Sequence, residues 1–171
     1  HDLTIGNLEL TLGIKPYKGY PQFSSPVALA EALKNAGFDI LVTSNNHTCD
    51  RGKDGIVNTL LVLDTLDIIH TGSFRNQAEK DKYYPLVVRS KGYKLGFLNY
   101  TYGTNGLPAP EPTRVNYLDT GLMRQDLNKL DSLAVDKKIA ITHWGKEYVD
   151  LPNAYQKKYA NFLHEGGVQY V

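Results

Sequence analysis

Three short stretches of the chain hold side chains able to do metal or acid–base chemistry, and each begins where an apolar run gives out. Asn7 and Glu9 follow Leu3-Thr4-Ile5; Asn45, Asn46, His47 and Asp50 follow Ile40-Leu41-Val42-Thr43-Ser44; His143 and Lys146 follow Ile139-Ala140-Ile141-Thr142. Carboxylate, amide oxygen and imidazole are the ligand types of divalent metals that activate water. Two such ions about 3.5–4 Å apart can clamp a phosphoryl group in transfer. Residue type alone does not select this chemistry. A histidine after a strand also serves as a structural residue, Asn46 also suits a turn, and Glu9 also fits a solvated strand edge.

The elements around these stretches decide whether they can meet. Ile40-Leu41-Val42 is short and apolar, follows a helical pattern stopped by Gly37, and precedes a second helical pattern after Gly52. That is a strand within an αβα unit. Ligands in open α/β sheets gather outside the carboxyl ends of the strands, which is where Asn45 to Asp50 lie. The first strand is read in Leu3 to Glu9, and the third in Lys138 to Gly145. A Gly-, Pro- and Tyr-rich loop spans 15–26, and Ser24 or Ser25 is read as the cap of a helix with Val27, Leu29, Ala30 and Leu33 on its buried face.

Ile56, Leu60, Leu63 and Leu66 mark the second helix, and 67–70 a short strand; the polar segment 73–82 reads as irregular. Tyr84 to Asn99 has the layout of a hairpin turning at Lys91-Gly92, so the sheet is not purely parallel. A long loop covers 100–113, a class of segment that often carries function. Two helices follow, over 119–134 with Leu122, Leu127, Leu130 and Leu133 inward, and over 155–164. The last residues, Gly167 to Val171, read as a strand beginning.

With 171 residues, 42% of them apolar, one domain over 1–171 is expected, and it reads as a portion of a longer protein cut at both ends. Lys and Arg number 19 against 18 Asp and Glu, a net charge of +1, which argues against nucleic acid or an anionic membrane surface as the main partner. No run is long enough to span a membrane. One cysteine, Cys49, excludes an intrachain disulfide and reads as a small buried hydrophobe. Tyr17, Tyr20, Phe23, Tyr100 and Tyr102 fit a substrate groove or a cover over the core, and Arg75 and Lys146 fit an anionic substrate or a solvated surface.

The runs Ile5-Gly6-Asn7-Leu8-Glu9, Gly37-Phe38-Asp39 with Ser44 to Gly52, Phe97 to Gly103, and His143-Trp144-Gly145-Lys146-Glu147-Tyr148 with Pro152 and Gln156 resemble the CapA family of poly-γ-glutamate capsule biosynthesis proteins. That family is a branch of the calcineurin-like metallophosphatases. The resemblance implies an α/β fold with mixed sheets, a metallophosphatase-type αββα sandwich lacking here its first and last strands. It also implies two divalent ions, Mn, Fe or Zn, in the full-length protein. Glu9 stands at the carboxylate shared by both metals, Asn46 and His143 at metal ligands, and His47 at the histidine that protonates the leaving group. Asn7, Asn45 and Asp50 become supporting residues, and Lys146, Tyr100 and Tyr102 supporting or substrate-facing ones. A Gly-Asp motif before the first strand and a His-x-His motif after the last are outside the chain, so metal binding by this portion alone is expected to be weak or absent.

Two functions follow from the resemblance, with hydrolysis of an amide bond by the same metal-hydroxide chemistry as a third that differs from the first only in the electrophile. One is a metal-dependent phosphoesterase with metal-bound hydroxide as nucleophile, acting on a phosphate ester. The other is a non-catalytic component of a capsule polymer synthesis or export complex, holding an anionic polymer or a partner protein at the membrane. Either implies a bacterial cell-envelope protein that faces outward and is membrane-anchored or periplasmic.

Overall fold

The computed structural model describes all of residues 1–171. The chain runs β1 (Ile5–Asn7), β2 (Thr11–Leu12), β3 (Ser24–Ser25), α1 (Val27–Asn35), β4 (Ile40–Val42), α2 (Gly52–Thr65), β5 (Ile69–Thr71), β6 (Ser73–Phe74), α3 (Gln77–Tyr83), β7 (Leu86–Ser90), β8 (Tyr93–Thr101), β9 (Arg114–Val115), α4 (Thr120–Ser132), β10 (Lys137–His143) and α5 (Ala154–Glu165). Every residue of β4 is buried, which is why Ile40-Leu41-Val42 is an unbroken apolar run rather than an alternating one. It is the middle strand of a parallel sheet ordered β1-β4-β5.

A second three-stranded sheet, β10-β8-β7, pairs β10 parallel and β7 antiparallel to β8. The expected hairpin is there, closed by Lys91 and Gly92, both at positive φ. Apolar residues of the first sheet pack with α1 and α2 around Leu41, Ala30 and Leu63. Those of the second pack with α4 and α5 around Leu98, Met123, Leu127 and Leu163. The mixed α/β class is as expected, and the arrangement is consistent with part of a metallophosphatase-like fold.

Several local expectations are corrected. Neither Ser24 nor Ser25 caps α1; they form β3 beside β2, the Ser24 hydroxyl donates to the Ile14 carbonyl, and the cap position is Pro26 without a side-chain bond. The segment 73–82 is not irregular, since it holds β6 and α3. No residue of α3 is buried, so no apolar period announces it; its signal is the Asn76 side chain, which accepts from the Glu79 N–H. On α4 the inward positions are Met123, Leu127 and Leu130, while Leu122 is exposed; Asp119 caps this helix by accepting from the Leu122 N–H. At the end of the chain Tyr170 bridges in parallel to Ile139, extending the second sheet beyond β10.

Gly72, just after β5, packs closely against Ser44 and against Asn99 of the second sheet. Its φ is +116°, and a Cβ there would overlap the Asn99 amide oxygen and lie 2.6 Å from the Ser44 nitrogen. Gly72→Ala is therefore expected to lower the unfolding free energy by about 2–3 kcal/mol, through strained backbone and lost packing together. Urea unfolding measures this, and a change below about 0.5 kcal/mol, the usual range of a neutral surface substitution, would contradict it.

Candidate metal centre at three strand ends

Asn45 is fully buried and organises the end of β4. Its side-chain amide donates to the Asn7 amide oxygen at 3.0 Å and to the Leu8 carbonyl at 2.8 Å, and its own oxygen accepts the His47 N–H at 3.0 Å. Thr48 closes the same turn, its hydroxyl donating to the Thr43 carbonyl at 2.6 Å and accepting from the Asn45 N–H at 2.9 Å. The turn after β4 is thus tied to the end of β1. That is how residues 38 apart in sequence, Asn7 and Asn45, come to share a bond.

Asn46, the next residue, is held differently. Its amide nitrogen reaches the Asn105 oxygen at 3.3 Å, while its own amide oxygen is buried with no hydrogen-bond partner. Beside it, Glu9 is braced by the Asn7 amide at 3.0 Å and lies 3.6 Å from His143 Nε2. Tyr102 stacks on the His143 ring with centroids 6.1 Å apart and planes 17° off parallel. Glu9, Asn46, Tyr102, His143, Lys146 and Glu147 all line one open cavity of about 460 Å³.

His47 lines an adjoining cavity of about 340 Å³, together with Tyr20, Asp50 and Asn105; Asn46 and Glu147 border both cavities. Its Nδ1 lies 2.7 Å from Asp50 Oδ2, which also accepts the Phe23 N–H at 2.7 Å, and the Phe23 ring sits edge-on at 4.5 Å. With Nδ1 occupied and the ring wedged, Nε2 is the nitrogen left for chemistry. Asp50 Oδ1 is buried without a partner.

Burial pushes the His143 pKa below its ordinary 6.5; the Glu9 charge pulls it back up and nearby His47 pushes it further down. The net result is an imidazole neutral at neutral pH, the form that can ligate a metal. A buried carbonyl-type oxygen without a donor, a carboxylate and a neutral imidazole in one cavity form a donor set suited to a divalent cation. No three His, Cys, Asp or Glu side chains are placed together so as to hold a metal ion by themselves, so a donor set at this site draws on the amide oxygen of Asn46.

The residues singled out from sequence therefore fall into groups. Glu9, Asn46, His143, Lys146 and Tyr102 share one cavity, His47 and Asp50 the next, and Asn7 and Asn45 brace them from behind. Tyr100 does not join them. Strand β8 runs on to Thr101 and carries Tyr100 into the core, 1% exposed, its hydroxyl donating to Asp126 at 2.8 Å. Arg75 lies elsewhere, tied to Asp64 and Glu79, and the buried Cys49 thiol is raised to about 11 by burial. Glu147 and Asn105 were not singled out; Glu147 sits inside the His-Trp-Gly run, while Asn105, at φ +51°, is marked only by its Asn-Gly turn.

The sequence pattern of the family described as "Bacterial capsule synthesis protein PGA_cap" matches residues 1–171. The chain belongs to this family. Among curated proteins it is 25% identical to "Capsule biosynthesis protein CapA" of Bacillus anthracis and 27% identical to "PGA biosynthesis protein CapA" of Bacillus subtilis, with 99% of this chain aligned to each. The chain spans 44% and 46% of the lengths of those two relatives. An uncharacterised protein of Sinorhizobium fredii, y4sH, is 37% identical over 86 residues, 46% of this chain and 19% of that protein.

The lowered His143 value has a measurable consequence for this PGA_cap chain in its metal-free state. The unfolded chain takes up a proton near pH 6.5 while folded His143 resists, so stability should fall as pH drops through 6.5 and level off once pH is below the folded value. In His143→Asn this part of the pH dependence should disappear, measured as the difference between the two proteins in urea unfolding from about pH 8 to about pH 5. Parallel curves for the two proteins would refute the assignment.

Proposed function

We propose that this chain carries the metal-binding strand ends of a CapA-type capsule biosynthesis protein, and that the whole protein is a metal-dependent hydrolase of the phosphoesterase type. The observation that carries the reading is the buried Asn46 oxygen, which lacks a partner and belongs to a residue that lines one cavity with Glu9 and His143. A buried acceptor without a donor costs about 1–3 kcal/mol, and a cation would remove that cost. Glu9, Asn46 and His143 are the residues that would hold divalent ions, with further ligands drawn from the rest of the full-length protein. When bound, such ions supply an activated water and offset the charge of a phosphoryl group.

The chain's own residues do the remainder. Asp50 holds Nδ1 of His47 and fixes its ring, so that Nε2 can give a proton to the leaving oxygen. Asn45 holds the His47 backbone in place through its N–H. Tyr102 keeps the His143 ring in plane, and the Lys146 ammonium at the rim meets the negative charge of a phosphate ester or an anionic polymer. We place the full-length protein at the bacterial cell envelope, working with the capsule synthesis machinery; no helix of this chain is long and apolar enough to cross a membrane.

The test is elemental analysis of the full-length protein, purified without chelator, together with turnover of a generic phosphate ester. About two metal equivalents are expected, with a rate that chelation abolishes. His47→Ala should lower kcat by about 100-fold or more with metal content retained, and Asn46→Ala should lower metal content itself. A folded full-length protein with no metal and no rate would overturn the hydrolase reading and leave a binding role in capsule assembly.

A further inference from the structure

Asn99 lies two residues before the end of β8, 1% exposed, and lines neither cavity of the site, yet its amide makes bonds to two different parts of the site. Its oxygen accepts the Ser44 N–H at 2.8 Å; its nitrogen donates to the Ile141 carbonyl at 3.0 Å and more weakly to the Ser44 carbonyl at 3.4 Å. Ser44 stands two residues before Asn46, and Ile141 two residues before His143. One side chain therefore joins the turn leaving the first sheet to the strand of the second that ends at the candidate ligand. The space for it is kept open by Gly72, where any Cβ would overlap the Asn99 oxygen. The backbone N–H of Asn99 is held in turn by the Tyr84 hydroxyl at 3.2 Å.

The chemistry of the clasp is particular to an amide. An acceptor for Ser44 and a donor for Ile141 must sit on the same carbon, at the reach of one methylene. Aspartate keeps the acceptor and sets a second oxygen against two carbonyls, while a shorter side chain loses the reach. Resting on the reading of the strand-end cavity as a metal centre, we propose that Asn99 is a positioning residue that fixes the spacing between Asn46 and His143 across the two sheets. It touches neither metal nor substrate and acts through Ser44 and Ile141.

A purely structural role must be separated from this one, and Ser44→Ala provides the comparison. That substitution removes the buried bond from the Ser44 hydroxyl to the Asn116 carbonyl at 2.7 Å but leaves the backbone N–H on which the clasp depends. In the full-length protein, Asn99→Asp and Ser44→Ala are compared with the parent by urea unfolding, by Zn²⁺ affinity in calorimetry, and by the imidazole ¹⁵N resonances of the metal-free protein. Both variants should lose stability. Only Asn99→Asp should weaken Zn²⁺ binding by about tenfold or more, the usual scale for a residue supporting a ligand, and move the His143 ring resonances. Should Asn99→Asp not fold, Asn99→Ser, with donor and acceptor but too short a reach, takes its place in the comparison. Parent-like affinity and resonances in the folded Asn99 variant would overturn the proposal. If the parent itself binds neither Zn²⁺ nor Mn²⁺, the metal-centre reading fails, and the ring resonances alone decide whether Asn99 sets the geometry.

Discussion

Polar groups taken out of water must find partners, and at the strand ends of this chain that demand is concentrated in Asn45. One fully buried amide closes the turn after β4 on itself and ties it to the end of β1. Leaving such a group unpaired costs more than making its bonds gains, so the tie is specified strongly: any shift of β1 against β4 would strand an amide in the interior. Asn7, Glu9, Asn46 and His47 all take their places from it. The second sheet is brought in through other ties, Ser44 to Asn99 and Ser44 to Asn116.

Against this well-satisfied background the exceptions carry information. Buried side-chain atoms without partners include Asn46 Oδ1 and Asp50 Oδ1, both beside the paired cavities, with Thr71 and Asn116 near the same strand ends and His70 away from them. Asn45 and Thr48 are bonded fully while the neighbouring Asn46 oxygen has no donor, and this contrast is what the proposed metal reading rests on. Burial lowers the pKa of His143, while Asp50 holds Nδ1 of His47, so two neighbouring histidines sit in different surroundings.

Membership of the PGA_cap family rests on a match along the whole chain, and the Bacillus relatives align with it almost end to end while extending over more than twice its length.

By itself the sequence determined the class of fold, the buried central strand, the hairpin at Lys91-Gly92 and the three polar stretches, because each is written in a local period or a turn residue that needs no distant partner. It also marked the family, through motifs spread along the chain. Only the tertiary structure decided which polar residues meet. Tyr100 and Tyr102 look equivalent in sequence; β8 sends one under α4 and leaves the other stacked on His143. Helix α3, with nothing buried, has no apolar period to betray it, and Asn99 reads as one more residue of a strand. Its bonds to Ser44, 55 positions away, and to Ile141, 42 away, exist only once both sheets are assembled. Local propensity cannot encode such contacts, because the free energy that selects them comes from desolvating groups that are neighbours only in the folded chain.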